Sequence, residues 1–509
     1  MLHVDKIVRR LRKAVVMVSK NMQVLQRGLT KESVTGRLYL QVTGVTIDVL
    51  PDNVLLETFE FYLDKDDIDQ IDYGHNYDGW QTLAQVCHRW RCVVFASPRR
   101  LDLKLYCTRQ RSVNSMMLDI WPTLPIVVFA EDMHYKEDVT NFITALRQHN
   151  RVCKIHYRNW HFQDPLLKEL ASIDDPFPAL TSLELVSYEE QNVPVLSDSF
   201  LGGSAPYLRS LSLAGIPYPS MGKLLSSTSN LVQLSLWRLP HSGYISPETV
   251  VPCLSTLARL KSLEVGYQYP RSEAHRASRH PPPLARVVFP NLTFLRFRGD
   301  SEYLEDILSR IETPMLNQSY FCFFNQLIFD TPLLGHFIRR TETFMTIHGA
   351  RAEFLSQAVW LTLWGRGEMA NDTREALHLE ISCKPLDWQL SALAQVLNAF
   401  LPSLRTLESL KIAVSHKGLR GEIEVIQWRE ILQPFAFVKE MTLQFEDSVQ
   451  FIAPALQELS GERATEVLPA LQNIFLRTHP WQPSGPAKKA MDRFIAARQL
   501  YGHSVTVHH

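Results

Sequence analysis

The chain has 509 residues, too many for one ordinary domain and enough for two to four, or for one elongated repeat array. Lys and Arg total 53 against 53 Asp and Glu, with 45% hydrophobic and 21% charged residues. That balance excludes a disordered chain and a general nucleic-acid-binding field.

In chain order, residues 1–46 form a basic N-terminal extension. Val4, Ile7, Val8, Leu11, Val15, Val18, Met22 and Leu25 share one helical face, and Lys6, Arg9, Arg10, Arg12, Lys13 and Lys20 fill much of the rest. The pattern fits a basic leader helix; a presequence or a membrane-surface helix is the alternative. Leu38, Leu40, Val42, Val45, Ile47 and Val49 alternate as a short strand or hairpin does.

Residues 47–97 read as a small helical module. Pro51 presets a helix start and Asp52 can satisfy first-turn amides. Leu55, Leu56, Phe59, Tyr62 and Leu63 make one apolar stripe; Trp80, Leu83, Ala84, Cys87, Trp90, Val93 and Val94 make another. An acidic stretch lies between them. Three short helices of this kind bury little surface, and their apolar surplus points to a partner. Leu50-Pro51 with Leu55-Leu56 and Phe59, then Leu83, Val86-Cys87 and Trp90-Arg91, resembles the F-box, the motif that docks on the adaptor subunit of SCF-type ubiquitin ligases. The resemblance implies adaptor contact through Leu50, Pro51, Leu55, Leu56, Phe59, Leu83, Val86, Cys87 and Trp90. Ile68–Gly79 departs from the motif as an insertion ahead of the second helix.

Residues 98–480 read as an irregular leucine-rich-repeat-like α/β solenoid. Leu101, Leu103 and Leu105 alternate as a strand, Ile126–Phe129 is a second, and Val139–His149 reads as a helix. The pattern apolar-x-x-apolar-x-apolar then recurs: Leu180, Leu183, Leu185; Leu208, Leu211, Leu213; Leu231, Leu234, Leu236; Leu260, Leu263, Val265; Leu292, Leu295, Phe297. Successive copies lie 28, 23, 29 and 32 residues apart. A weaker copy is Phe324, Leu327, Phe329, and later ones are Leu407, Leu410, Ile412; Val438, Met441, Leu443; and Leu471, Ile474, Leu476. A unit of one strand and one returning helix cannot bury its leucines alone, whereas stacked units share a core. Helices are expected at Met221–Ser226, Val250–Arg259, Tyr303–Ile311 and Trp388–Leu401. Gly266–Pro283 reads as an edge loop, and the aromatic stretch 313–350 as an interruption filled with core residues. Residues 481–509 form a C-terminal cap, an amphipathic helix carrying Met491, Phe494, Ile495 and Leu500 and then a short strand.

The layout from about residue 47 onward resembles fungal F-box proteins with degenerate leucine-rich-like repeats, through Leu386-Asp-Trp-Gln-Leu390, Leu401-Pro-Ser-Leu404, Gln433-Pro-Phe435, Ala453-Pro-Ala-Leu-Gln-Glu-Leu459, Val467-Leu-Pro-Ala-Leu471 and Phe494-Ile-Ala-Ala-Arg498. The resemblance implies a substrate-recognition subunit of an SCF-type (cullin-RING) ligase, bound to the adaptor and through it to cullin, in the cytoplasm or nucleus. The alternative is a repeat-based protein-binding scaffold with no ligase role. Because the two closing apolars of each repeat face the core, their neighbours face out on the concave strand face, and Trp237, Glu264, Phe294, Arg296 and Arg298 are the candidate substrate contacts.

No phosphate-cradling glycine loop, HExxH or GxSxG occurs, so no catalytic residue is assigned and an enzyme is not expected. Seven scattered cysteines without a CxxC argue for no metal, no cofactor and no disulfide framework. No apolar run is long enough to span a bilayer. His156 reads as a satisfied structural histidine.

Overall fold

In the computed structural model, described for residues 50–63, 79–108, 124–131, 136–159, 165–189, 193–270, 285–366, 373–400, 403–415, 425–458, 466–477 and 485–508, the chain divides into two compact units, Met1–Phe129 and Ala130–His509. The expectations for residues 1–46, for most of the insertion at 68–79 and for most of the edge loop after Gly266 lie outside the described residues.

The first unit contains helices α1 (Asp52–Leu63), α2 (Gly79–Val86) and α3 (His88–Ala96). Its core is Leu55, Phe59, Leu83, Trp90 and Val94, with the Phe59 and Trp90 rings 4.8 Å apart. Arg89 binds α3 to the start of α1 through Asp52 Oδ1 at 2.6 Å and the Leu50 carbonyl at 2.5 Å. Cys87 caps α3, its sulfur accepting from the Trp90 amide at 3.5 Å. Leu101 and Leu103 are buried but lie in turns, with amides donating to the carbonyls of Ser97 and Pro98 and with Asp102 at positive φ. The expected strand over 101–105 is therefore corrected: β1 is Leu105–Cys107, parallel to the start of β2 (Ile126–Glu131). Alternating burial alone does not distinguish a strand from successive turns.

The second unit is a mixed α/β repeat array with a long, largely parallel sheet. After α4 (Lys136–Leu146), β3 (Val152–Asn159) and α5 (Pro165–Ala171) come β4 (Ser182–Ser187), β5 (Ser210–Ala214), α6 (Gly222–Ser227), β6 (Gln233–Leu239), α7 (Pro247–Ser255) and β7 (Ser262–Tyr267). Each copy enters its strand through the same turn. The amides of Leu180, Leu208, Leu231, Leu260 and Leu292 donate to the carbonyl three residues earlier, and a ladder one residue further on links Thr181 to Cys153, Arg209 to Thr181, Val232 to Arg209 and Lys261 to Val232. The triad leucines that follow are at most 3% exposed.

The array continues with β8 (Val287–Val288), β9 (Phe294–Gly299), α8 (Ser301–Arg310), β10 (Ile311–Glu312) and β11 (Gln318–Phe323). Here the expected copy Phe324, Leu327, Phe329 is overturned, since Leu327 is 80% exposed. The repeat is Leu316, Ser319, Phe321: the Leu316 amide closes the turn on Thr313, and Phe321 aligns with Phe297. A serine in the central core position conceals it from the apolar pattern. The stretch 313–350 thus carries the array onward through β11 and is only partly an interruption.

The chain then continues through α9 (Pro332–Arg340), α10 (Glu342–Met345), β12 (Ile347–Phe354), β13 (Ala358–Arg366), β14 (Thr373–Ser382), α11 (Leu386–Phe400), β15 (Ser409–Val414), α12 (Val425–Leu432), β16 (Glu440–Gln444), α13 (Glu446–Glu458), β17 (Asn473–Arg477), α14 (Pro486–Leu500) and β18 (Thr506–His508). Strand order in this unit runs β3-β4-β5-β6-β7-β9-β11-β14-β13-β12-β15-β16-β17-β18. The three-strand meander is inserted in reverse: β14 is parallel to β11, β12 is parallel to β15, and β13 is antiparallel to both its neighbours. The helices are not reversed. α6 to α9 pack in chain order, α9 meets α11 directly, and α11 to α14 continue the series. The sheet therefore gains two strands that have no crossover helix of their own.

The expected C-terminal helix and strand are α14 and β18, with Met491 and Phe494 buried, but Leu500 is 85% exposed and is corrected to a surface residue. In its place Arg498 points inward, fully buried, donating to the carbonyls of Leu468, Pro469 and Leu471. Three carbonyl acceptors make burial of that guanidinium tolerable.

Candidate functional site

Two surfaces carry the residues singled out from sequence. In the first unit, Leu55, Phe59 and Leu83 are fully buried and Trp90 is 2% exposed, so these four hold the helices together. Leu50, Leu56 and Cys87 are half-buried, and Pro51 and Val86 are exposed. Among the described residues Phe61 is a further exposed apolar group of this module.

The second surface is the face of the sheet opposite the buried leucines. Strand register aligns one outward residue per strand: His156, Glu184, Ser212, Ser235, Glu264, Arg296, Tyr320, His378, Thr362, Arg351, Lys411 and Thr442. The row starts with a polar cluster. His156 sits between Glu184 (Nδ1 to Oε2, 2.9 Å) and Glu131 (Nε2 to Oε1, 3.1 Å), and Arg158 reaches Glu184 at 2.8 Å. Burial raises the Glu184 pKa, but the hydrogen bond and charge of His156, and then those of Arg158, outweigh it and bring the carboxyl down to about 2. His156 is a satisfied structural residue, as its sequence context indicates.

After a small, polar stretch the row becomes aromatic and cationic. The Trp237 ring lies flat on Gly266, where a Cβ would come within 2.5 Å of it. The Arg296 guanidinium stands 4.1 Å from the Trp237 centroid and 4.8 Å from that of Tyr320, and is paired with Glu264 at 3.6 Å. The structure thus brings three of the five candidate substrate contacts, Trp237, Glu264 and Arg296, into one group. Phe294 lies on the same face, two residues before Arg296. Arg298 is set apart, over the Phe324 ring at 5.6 Å.

The inserted meander supplies a hollow on this face, an open cavity of about 430 Å³ lined by Tyr320, Arg351, Glu353, Trp360, Thr362, Trp364, Glu375, His378 and Lys411. Tyr320 stacks on His378 with centroids 4.4 Å apart, and its hydroxyl donates to Glu380 at 2.8 Å. Trp360 meets His378 edge-on at 5.6 Å, and Thr362 Oγ1 lies 3.1 Å from His378 Nδ1. Trp364 lies across Gly349, where a Cβ would approach its ring to 2.4 Å, and Lys411 Nζ sits 5.0 Å from that ring. Arg351 is ion-paired with Glu353 and donates to Gln444 at 3.2 Å. Burial lowers the His378 pKa, which favours the neutral imidazole.

Sequence reading did not find the cavity. Trp360-x-Thr362-x-Trp364 and Arg351-x-Glu353 are legible as alternating strand residues, but their meeting with Tyr320 and Lys411 depends on strand order.

No family model and no curated protein matches the chain. Among solved structures, a leucine-rich repeat-containing protein, LegL7 from Legionella pneumophila, is similar at 16% identity over 69% of this chain and 99% of its own length, with a TM-score of 0.27. Among the described residues, no group of His, Cys, Asp and Glu is arranged to hold a metal ion and no helix is long and apolar enough to cross a membrane.

Proposed function

We propose that this chain is a non-catalytic substrate receptor of an SCF-type ubiquitin ligase, working in the cytoplasm or nucleus: the helical module docks on the adaptor, and through it cullin, while the open sheet face holds a protein substrate. The observation that carries the reading is the division of labour within the module. Leu55, Phe59, Leu83, Trp90 and Val94 complete its core, yet Pro51 and Val86 stay outside with Phe61, as an interface for a second protein requires. On the substrate side, aromatic and arginine side chains concentrate on one face, the composition of binding hot spots. The mechanism is geometric: holding a substrate beside a charged ubiquitin-carrying enzyme raises the effective concentration of its lysines.

The test is co-purification of the full chain with the SCF adaptor, beside Val86→Asp/Leu56→Asp. Capture by the parent, and its loss in a variant whose melting temperature is unchanged, is the expected result. A folded parent that captures no adaptor at micromolar concentration would reduce the protein to a binding scaffold without a ligase role.

A further inference from the structure

We infer that the cavity in the inserted meander is a peptide-recognition pocket for a carboxylate, Asp or Glu, lying next to an aromatic residue in the substrate. The inference rests on the substrate-binding half of the function proposed above and is independent of adaptor docking.

Unmet hydrogen-bonding capacity in the pocket is mainly that of donors. Trp360 Nε1 and Arg351 Nε are buried without a hydrogen-bond partner, and both atoms can only donate. His378 Nε2 is buried and unpartnered as well. Thr362 Oγ1 lies 3.1 Å from the other ring nitrogen, Nδ1. Lys411 lies against the Trp364 ring with no carboxylate partner among the described residues. A ligand that answers this set brings acceptors and negative charge, and a carboxylate supplies about four lone-pair sites on two oxygens.

The charge is limited to one. Glu353 and Glu375 also line the cavity, so a phosphate dianion meets two nearby carboxylates where a monoanion meets less repulsion. The rings of Tyr320, Trp360 and Trp364 offer an aromatic surface that rewards a ring on the ligand through offset or edge contacts.

Shape favours a chain over a compact molecule. The lining comes from five adjacent strands, β11, β14, β13, β12 and β15, about 19 Å across at ~4.8 Å per strand. That width of lining corresponds to roughly six extended residues at ~3.3 Å each. The meander creates the pocket: without the two extra strands, Tyr320 and Lys411 would have no Trp360, Thr362, Trp364 or Arg351 between them.

The test pans the full chain against a random heptapeptide display library, with thermal melting of each variant as a check on folding. Enriched peptides are expected to carry Asp or Glu within two positions of Phe, Tyr or Trp. One enriched peptide, made with a fluorophore, should lose about tenfold in affinity for Lys411→Glu and for Trp360→Ala. It should change less than twofold for Lys168→Glu on α5, an exposed charge away from the strand face. Replacing its acidic residue by phosphoserine should weaken binding.

No enrichment of acidic peptides, or binding indifferent to both pocket substitutions, would overturn the inference; tighter phosphopeptide binding would overturn the carboxylate assignment. Adaptor capture reads the other module. A chain that captures adaptor but selects no acidic peptide loses this inference alone, and one that selects the peptide without capturing adaptor loses the ligase reading alone.

Discussion

The run from β4 to β9 and the run from β11 to β15 share one continuous inward column and differ in nearly everything else. In the first, each strand is followed by its own return segment, and the outward row is Glu184, Ser212, Ser235 and Glu264 before it reaches Arg296. In the second, three strands are threaded in reverse between two that belong to the helix stack, and the outward row is Tyr320, His378, Thr362, Arg351 and Lys411. The core tolerates the reversal because a strand presents alternate residues to its two faces whichever way it runs. Leu377, Leu363 and Ala350 therefore continue the buried column of Leu211 and Leu234. The cavity lies where the repeat is broken, where Trp360 and Trp364 join Tyr320 and Lys411 on the outward face.

The comparison is broken most severely in the regular run. Leu211→Ala removes a side chain 1% exposed in a column shared by neighbouring repeats, and should cost about 3 kcal/mol in chemical denaturation. Thr362→Ala in the meander, an outward residue whose hydroxyl meets His378, should cost no more than about 1 kcal/mol.

A comparably large effect is set by pH at the join between the runs. Glu305 on α8 accepts from the amides of Leu333 and Leu334 at the start of α9 (2.8 and 2.7 Å), and burial pushes its carboxyl up to about 7 despite those bonds. The folded form thus holds a proton that the unfolded chain releases near 4.5. Stability should fall by about 2–3 kcal/mol as pH rises from 4.5 to 7, and Glu305→Gln should flatten that slope in melts taken across the range.

In the pocket, Gly349→Ala should displace the Trp364 ring, at about 1–2 kcal/mol, with a shift in tryptophan emission and weaker peptide binding. The smallest effect belongs to the polar start of the row. Glu184, held near 2, stabilises the fold above pH 4.5 and loses that contribution as pH falls toward 2. Partial exposure screens it to about 1 kcal/mol, read as a shallower acid limb in Glu184→Gln.

Much of the array is legible in the residues themselves. Triads such as Leu183-x-Leu185 and Met441-x-Leu443 identify strands and their buried faces, because period-two burial is a local property. The module's apolar stripes are equally plain, but not which members turn inward; Leu55 and Val86 have similar chemistry and opposite exposure. The repeat at Leu316 was obscured by Ser319, and the inward turn of Arg498 by its charge.

By itself the sequence determined the class of the array, the strands of its apolar triads with their buried faces, and a C-terminal helix and strand. Tertiary structure alone decided the order β14-β13-β12 and with it the pocket. The physical reason is that inward and outward faces follow from neighbours two residues apart, whereas strand order follows from which sheet edges are free when the chain returns. Tyr320 and Lys411 belong to one site because three strands came to lie between them.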